Sequence, residues 1–286
     1  MPTNAIPAII FTDLDGTLLD HHSYSFQAAL PALRAVRSLG IPLILTTSKT
    51  LAEAREINLA LENKQPLIVE NGCAMCFPLD RDFPFEVGAH QEIDGHAVIR
   101  FSPGYAQIRH FIEQQRSGHH VQLTGFGDMS VTEVARQTGL GEREAAKAKQ
   151  RLCSEPFVWL GSEQELARFQ AAAKDEGLRI TRGGRFWHLM GQTGKAPAVD
   201  AMRQLYTGEN TAPIKTIALG DSENDREMLE SVDIAVVVMR HDGTYLDCRG
   251  KERTLCTEQQ GPAGWNTAVL QIIHGLESRG PQTKED

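Results

Sequence analysis

Ala8-Ile9-Ile10-Phe11 is an unbroken apolar run closed by Thr12-Asp13, the pattern of a strand buried on both faces. From Ala28 to Leu39 the apolar positions Leu30, Leu33, Val36 and Leu39 recur at helical spacing. Pro31 is tolerated in the first turn of that helix, and Gly40 ends it. Ile41 to Leu45 predicts a second strand, Leu51 to Leu61 a second helix, and Leu67-Ile68-Val69 a third strand closed by the turn Glu70-Asn71-Gly72. This strand–helix alternation predicts an α/β parallel sheet.

The pattern then changes. Asp80 to Gly95 is irregular and reads as a linker. Phe101 to Arg116, a segment opened by the capping-box pattern Ser130-Val131-Thr132-Glu133, and Glu142 to Arg151 predict helices. Phe157 to Leu160 and Phe186 to Met190 predict strands, so the middle of the chain reads as an α+β unit of its own. Parallel-sheet patterning resumes with a helix over Ala196 to Tyr206, a strand over Thr216 to Leu219, a short helix over Asp225 to Leu229 and a strand over Ile234 to Val238. The polar stretch from Gly275 onward is expected to be disordered. The expected architecture is a Rossmann-like α/β core, 1–84 with 191–286, carrying an inserted α+β domain over 85–190.

Composition narrows the function. The 286 residues are 41% hydrophobic and 23% charged, as in a globular protein. The net charge of −8 argues against wholesale nucleic-acid binding. No apolar stretch reaches the roughly 18 residues of a membrane span. The first eight residues lack the basic start and cleavage pattern of a signal peptide, and the five scattered cysteines suggest no disulfide framework, so a cytoplasmic location is expected. Cys73 and Cys76 form a lone CxxC within an apolar run, too few ligands for structural zinc.

Reactive side chains gather where strands end. The first strand closes in Asp13-Leu14-Asp15-Gly16-Thr17, the second in Thr46-Thr47-Ser48-Lys49-Thr50, and a late one in Gly220-Asp221-Ser222-Glu223-Asn224-Asp225; Lys195 opens a helix after Gly191-Gln192-Thr193-Gly194. In an open parallel sheet the carboxyl ends of the strands form the ligand crevice. Carboxylates converging there repel one another unless a cation lies among them, and hard oxygen donors suit Mg²⁺ paired with phosphate oxygens. A hydroxyl and an ammonium would hold the remaining phosphate oxygens, giving a phosphoryl-transfer site with an aspartate nucleophile and a small phosphate monoester as substrate.

DxDGT, the strand-end threonine, the lysine and GDxxND together resemble the haloacid dehalogenase superfamily of aspartate-nucleophile phosphatases, and the insertion between Thr47 and Lys195 resembles a type C2 cap. The resemblance implies that Asp13 attacks phosphorus, that Asp15 is the acid and base, and that Thr47 and Lys195 bind the phosphoryl group. It implies Mg²⁺ held by Asp13, the Asp15 backbone carbonyl and Asp221, with Asp225 orienting Lys195 or a metal-bound water, and Asn224 and Ser48 as secondary contacts.

Further stretches resemble the mannosyl-3-phosphoglycerate phosphatase family: Ser48-Lys49-Thr50, Glu70-Asn71-Gly72, Gly125 to Ser130, Glu155 to Trp159 and Gly183 to Gly191. Such a substrate carries a phosphate, a carboxylate and a sugar. The carboxylate calls for Arg, Lys or backbone N–H groups; Lys49, Arg182, Arg185 and the amides of Gly183 and Gly184 are the candidates. Asp128, Ser130 and Glu155 are the candidates for the sugar hydroxyls. Ser130 also suits a plain helix cap, and Trp187 a core position. Glucosyl-3-phosphoglycerate, a broader sugar-phosphate phosphatase and a non-enzymatic binder of phosphorylated ligands are the competing readings.

Overall fold

The computed structural model describes residues 8–119, 121–183, 185–208, 214–247 and 254–278. In chain order the first elements are β1 (Ala8–Thr12), α1 (Leu30–Ser38), β2 (Leu43–Thr46), α2 (Leu51–Ala60), β3 (Leu67–Val69), β4 (Ala74–Pro78), β5 (Gln91–Ile93) and β6 (His96–Arg100). Next come α3 (Tyr105–His119), β7 (Leu123–Gly125), α4 (Val131–Thr138), α5 (Glu142–Ala148), β8 (Ser154–Trp159), α6 (Glu163–Asp175), β9 (Leu178–Arg182) and β10 (Trp187–Gly191). The chain closes with α7 (Lys195–Thr207), β11 (Lys215–Gly220), α8 (Arg226–Ser231), β12 (Ile234–Met239), β13 (Thr254–Gln260) and α9 (Gly261–Glu277). Two compact units emerge: Met1–Ile44 with Arg203–Asp221 and Asp225–Asp286, and Leu45–Met202 with Ser222–Asn224.

In the first unit β1, β11, β12 and β13 form parallel pairs, with Ile10 opposite Ile217 and Ala218 opposite Ala235. In β1, β11 and β12 the continuous apolar runs explain this, because both faces of those strands are covered; Ile9, Ile10, Phe11, Ile217, Leu219 and Val236 are all fully buried. Helix α1 buries Ala32, Leu33 and Val36. Trp265 of α9 is fully buried, and its indole N–H donates to Thr12 Oγ1 at 3.0 Å. The Thr12 hydroxyl in turn donates to the Asp13 carbonyl at 2.8 Å, so a core tryptophan steadies the end of β1.

The expectation of disorder from Gly275 is corrected for 275–278, since α9 carries its last turn through Glu277, where the Ser278 N–H donates to His274 O at 3.1 Å; the rest of that stretch, 279–286, lies outside the described residues. Strand β13 has no apolar alternation because it is largely exposed, and pairing with β12 alone defines it.

In the second unit Leu45 and Thr46 of β2 pair in parallel with Leu67 and Ile68, and β3, β4, β6 and β5 continue in antiparallel pairs. A separate antiparallel sheet runs β7-β8-β10-β9. Ile108, Phe111 and Ile112 of α3 and Phe169 of α6 cover one of its faces, against Leu123, Phe157 and Leu189. A smaller cluster joins Phe126 and Met129 to Val134, Ala145 and Ala148 of α4 and α5.

Several boundaries move. Helix α3 begins at Tyr105 because Pro103-Gly104 precede it. Helix α5 stops at Ala148, and the Lys149 ammonium then donates to the carbonyls of Phe126 and Met129. The region read as a linker contains β5, a strand of exposed and half-buried residues held by β6. Cys73 and Cys76 are buried free thiols, Cys73 Sγ donating to Cys153 O at 3.0 Å. No helix among the described residues is long and apolar enough to cross a membrane.

Candidate active site

The acidic half of the site lies within the first unit. Adjacent parallel strands β1 and β11 end level with one another, and the Asp13 N–H donates to Leu219 O at 2.9 Å. Asp13, Asp221 and Asp225 each bring a carboxylate oxygen into one group, all within 4.8 Å of one another. The loop that follows Asp13 is tight: Leu14 O accepts from the N–H groups of both Thr17 and Leu19, at 3.1 and 2.8 Å. That turn aims the Thr17 hydroxyl at Asp221 Oδ1, 3.0 Å away.

Gly16 has φ +78°, and a Cβ there would lie 3.1 Å from Asp221 Oδ2, so both the turn and the close approach require glycine. Arg240 Nε donates to Asp221 O at 2.8 Å, and the Asp221 N–H donates to Asp225 Oδ2 at 3.1 Å. Three carboxylates at this separation repel one another, and a hard divalent cation among them offsets that repulsion. The all-oxygen donor set fits Mg²⁺. Asp225 brings its carboxylate into this group beside the expected ligands Asp13 and Asp221. Asp15 itself is half-buried in the loop, which is bridged to Leu19.

The second unit carries Thr47 and Lys195, both buried. Thr47 follows β2; its N–H donates to Ile68 O at 2.9 Å, and its carbonyl accepts from the Asn71 N–H at 2.9 Å. Glu70, Asn71 and Gly72 have φ of +51°, +59° and +88°, a left-handed turn that is strained at Glu70. Each residue of the turn has a distinct neighbour. Asn71 Oδ1 accepts from Asn224 Nδ2 at 2.9 Å. A Cβ on Gly72 would sit 2.1 Å from Gly194 O and 2.9 Å from Lys195 N, so glycine is what lets the chain entering α7 pack here. Glu70, fully buried, accepts from the N–H groups of Leu152 and Cys153 at 2.6 and 3.1 Å and from Ser154 Oγ at 2.8 Å.

Arg151 closes that cluster. It lies 3.5 Å from Glu70 and donates to Ser154 O, Ser154 Oγ and Ser48 O at 3.3, 2.5 and 3.2 Å. Neither Arg151 nor Glu70 was singled out as a contact from sequence. The available signal was that Glu70 lies within one recognised stretch and Arg151 shortly before another.

The candidate sugar-binding acids are held by the protein itself. Glu155, fully buried, accepts from Tyr105 Oη, Arg109 Nη1 and the Gly127 N–H, each at 2.8 Å. Burial and the Glu155 charge push the Tyr105 phenol above its usual range. Asp128 accepts from Arg109 and Arg116, both at 2.5 Å, and from the Gly125 N–H at 2.8 Å. Burial alone would raise its pKa, but Arg116 and Arg109 hold it well below the usual carboxylate range.

Ser130 caps α4 in a reciprocal capping box with Glu133. Arg185 Nη1 donates to Thr138 O at 2.6 Å, and Arg182 stacks on Trp187 at 5.3 Å. The Gly183 N–H donates to Phe186 O, and Gly184 lies outside the described residues. Lys49 pairs with Glu53 at 4.0 Å. Arg109, Glu113 and Arg116 fall at i, i+4 and i+7 on α3, a helical stripe that the sequence displays but does not link to Asp128 and Glu155.

The model of the haloacid dehalogenase-like hydrolase family matches residues 10–117 and 189–242. A curated glucosyl-3-phosphoglycerate/mannosyl-3-phosphoglycerate phosphatase of Methanococcoides burtonii is 42% identical over 265 residues, covering 93% of this chain and 97% of its own. A protein of the same name from Persephonella marina is 38% identical, covering 94% and 98%. Among solved structures, a haloalkanoate-superfamily phosphatase of Bacteroides thetaiotaomicron superposes with a TM-score of 0.65 at 18% identity, covering 96% of this chain and 98% of its own. The sucrose-phosphatase of Synechocystis, solved with sucrose and phosphate, gives 0.62 at 14% identity, covering 95% and 98%. At those identities the structures establish the fold.

Proposed function

The chain belongs to the haloacid dehalogenase-like hydrolase family, and from that membership we propose that it hydrolyses glucosyl- and mannosyl-3-phosphoglycerate, releasing phosphate and the glycosylglycerate. It is a phosphoric monoester hydrolase. The observation that carries the reading is the group of Asp13, Asp221 and Asp225 at the ends of two adjacent parallel strands, in a chain 42% identical to a phosphatase named for these two esters.

In the proposed reaction an Asp13 carboxylate oxygen bonds to phosphorus as the ester oxygen leaves, and Asp15 gives that oxygen its proton. The carboxylate of Asp15 then takes a proton from water, whose oxygen bonds to phosphorus and frees Asp13. Thr47 and Lys195 bind phosphoryl oxygens, the ammonium offsetting their charge. Asp13, Asp221 and Asp225 would hold Mg²⁺, which when bound screens the carboxylates and the phosphoryl oxygens from one another. Residues 85–190 are the substrate-selecting domain of this reading. In it, the Arg109–Glu155–Asp128 network gives the domain its shape, and Lys49, Ser48 and Arg182 remain the polar groups offered to substrate.

A phosphate-release assay over glycosyl-3-phosphoglycerates, sucrose phosphate, hexose phosphates and p-nitrophenyl phosphate tests the reading. The highest kcat/KM is expected on the two glycosyl-3-phosphoglycerates. Equal or faster turnover of simple hexose phosphates would replace the reading with a general sugar-phosphate phosphatase.

A further inference from the structure

His188 lies on β10, opposite Pro156 of β8 and Thr181 of β9. Side chains alternate across a sheet. Leu189 packs with the α3 and α6 core, so His188 and Met190, with Ser154 and Pro156 beside them on β8, occupy the opposite face. Ser154 on that face is where the Arg151 guanidinium and the Glu70 carboxylate meet. Arg151 also reaches Ser48 O, one residue past Thr47. The clamp therefore fixes this sheet face beside the phosphoryl-binding threonine.

The imidazole is unusual in its surroundings. His188 is only 6% exposed, and its buried Nδ1 has no hydrogen-bond partner. Its Nε2 lies against Gly183, where a Cβ would approach to 3.1 Å. A buried polar atom without a partner costs about 1–3 kcal/mol, a cost that substrate can relieve. Burial, with Arg151 and Lys195 acting on the ring, keeps it neutral, its pKa pushed down to about 3. A neutral ring in the Nδ1–H tautomer is a hydrogen-bond donor, and the two cations favour an anion as its acceptor.

We propose that His188 determines specificity by donating from Nδ1 to the carboxylate of the substrate's glycerate moiety, at a position set by Glu70, Arg151 and Ser154. The proposal rests on the functional reading above. It adds a recognition group to those that the sequence offered for the carboxylate, Lys49, Arg182, Arg185 and the amides of Gly183 and Gly184.

The test compares His188→Ala, His188→Phe and His188→Asn with wild type, on mannosyl-3-phosphoglycerate and on p-nitrophenyl phosphate, which has no carboxylate. The ratio of the two kcat/KM values is taken within each preparation, so a loss of folded protein lowers both and leaves the ratio unchanged. The expected result is a 10- to 100-fold fall in that ratio for Ala and Phe, the loss of one hydrogen bond to a charged group. The fall should appear in KM, and Asn, which keeps a donor, should recover part of it. A wild type with no preference for the carboxylated ester overturns the functional reading and this proposal with it. A wild type with that preference, and variants that keep it, overturn the His188 assignment alone.

Discussion

The Glu70 carboxylate accepts a hydrogen bond from the Ser154 hydroxyl at 2.8 Å across 84 positions of sequence. Both residues are fully buried, and Glu70 stands in the left-handed conformation that a side chain adopts at a cost. The carboxylate satisfies two backbone N–H groups and faces Arg151 as well. It thus ties the end of β3 to the segment that enters β8.

Glu70→Ala is accordingly expected to destabilise the protein by about 3–5 kcal/mol, because it strands a buried guanidinium and two backbone donors. Ser154→Ala, which removes one hydroxyl, should cost about 1–2 kcal/mol. Urea unfolding followed by circular dichroism measures both. A Glu70→Ala loss no larger than that of Ser154→Ala would show that the carboxylate is not the anchor of the clamp.

Gly72→Ala tests the approach of Lys195. The added methyl meets Gly194 O at 2.1 Å and the residue has φ +88°, so the chain entering α7 must shift. Expected is a fall in kcat of at least about tenfold, the size of a small misplacement of a phosphoryl-binding group, together with a lower melting temperature. Wild-type kcat in this variant would separate Lys195 from the reaction.

His188 gives a pH signature. Its folded pKa of about 3 lies below the ordinary value of 6.5, so between those limits the unfolded chain holds the extra proton. Stability should therefore decline as pH falls from about 6.5 toward 3, with this group contributing up to about 1.4 kcal/mol per pH unit. Denaturation curves from pH 7 to 5 should be flatter for His188→Phe than for wild type. Parallel curves would mean that the imidazole is charged or solvated in the folded protein.

Metal removal should separate structure from activity. Chelation is expected to abolish phosphate release while leaving circular dichroism unchanged, and added Mg²⁺ should restore it. Asp225→Asn should raise the Mg²⁺ concentration for half-maximal activity by at least about tenfold, as loss of a ligand or its support does. An unchanged requirement would move Asp225 out of the ion's surroundings.

What the sequence displayed and what it hid have physical causes. The apolar runs at Ile9 to Phe11 and Ala235 to Val238 announce buried parallel strands, and the Asp, Thr and Lys positions at strand ends follow from that frame. Strand β13 and the start of α9 were not legible, since one is an exposed strand and the other opens with Gly261-Pro262. Ser130 read as a helix cap and is one. Asp128 and Glu155 read as sugar ligands because an acid in a recognised stretch suggests a ligand; only coordinates show Arg109 and Arg116 coming from α3 to neutralise them. Sequence spacing carries no record of such long-range pairing. The roles of Glu70 and Arg151 stayed hidden for the same reason.

The central claim is that Asp13 takes the phosphoryl group, and acid-quenched mass spectrometry reads this directly. Wild-type, Asp15→Asn and Asp13→Asn proteins would be mixed with Mg²⁺ and p-nitrophenyl phosphate, quenched within milliseconds to seconds, and digested. The account predicts one phosphoryl group on the peptide containing Asp13, longest-lived in Asp15→Asn, where water activation is lost, and absent from Asp13→Asn. Rapid turnover with no phosphorylated peptide, or a phosphoryl group on any other residue, would contradict it.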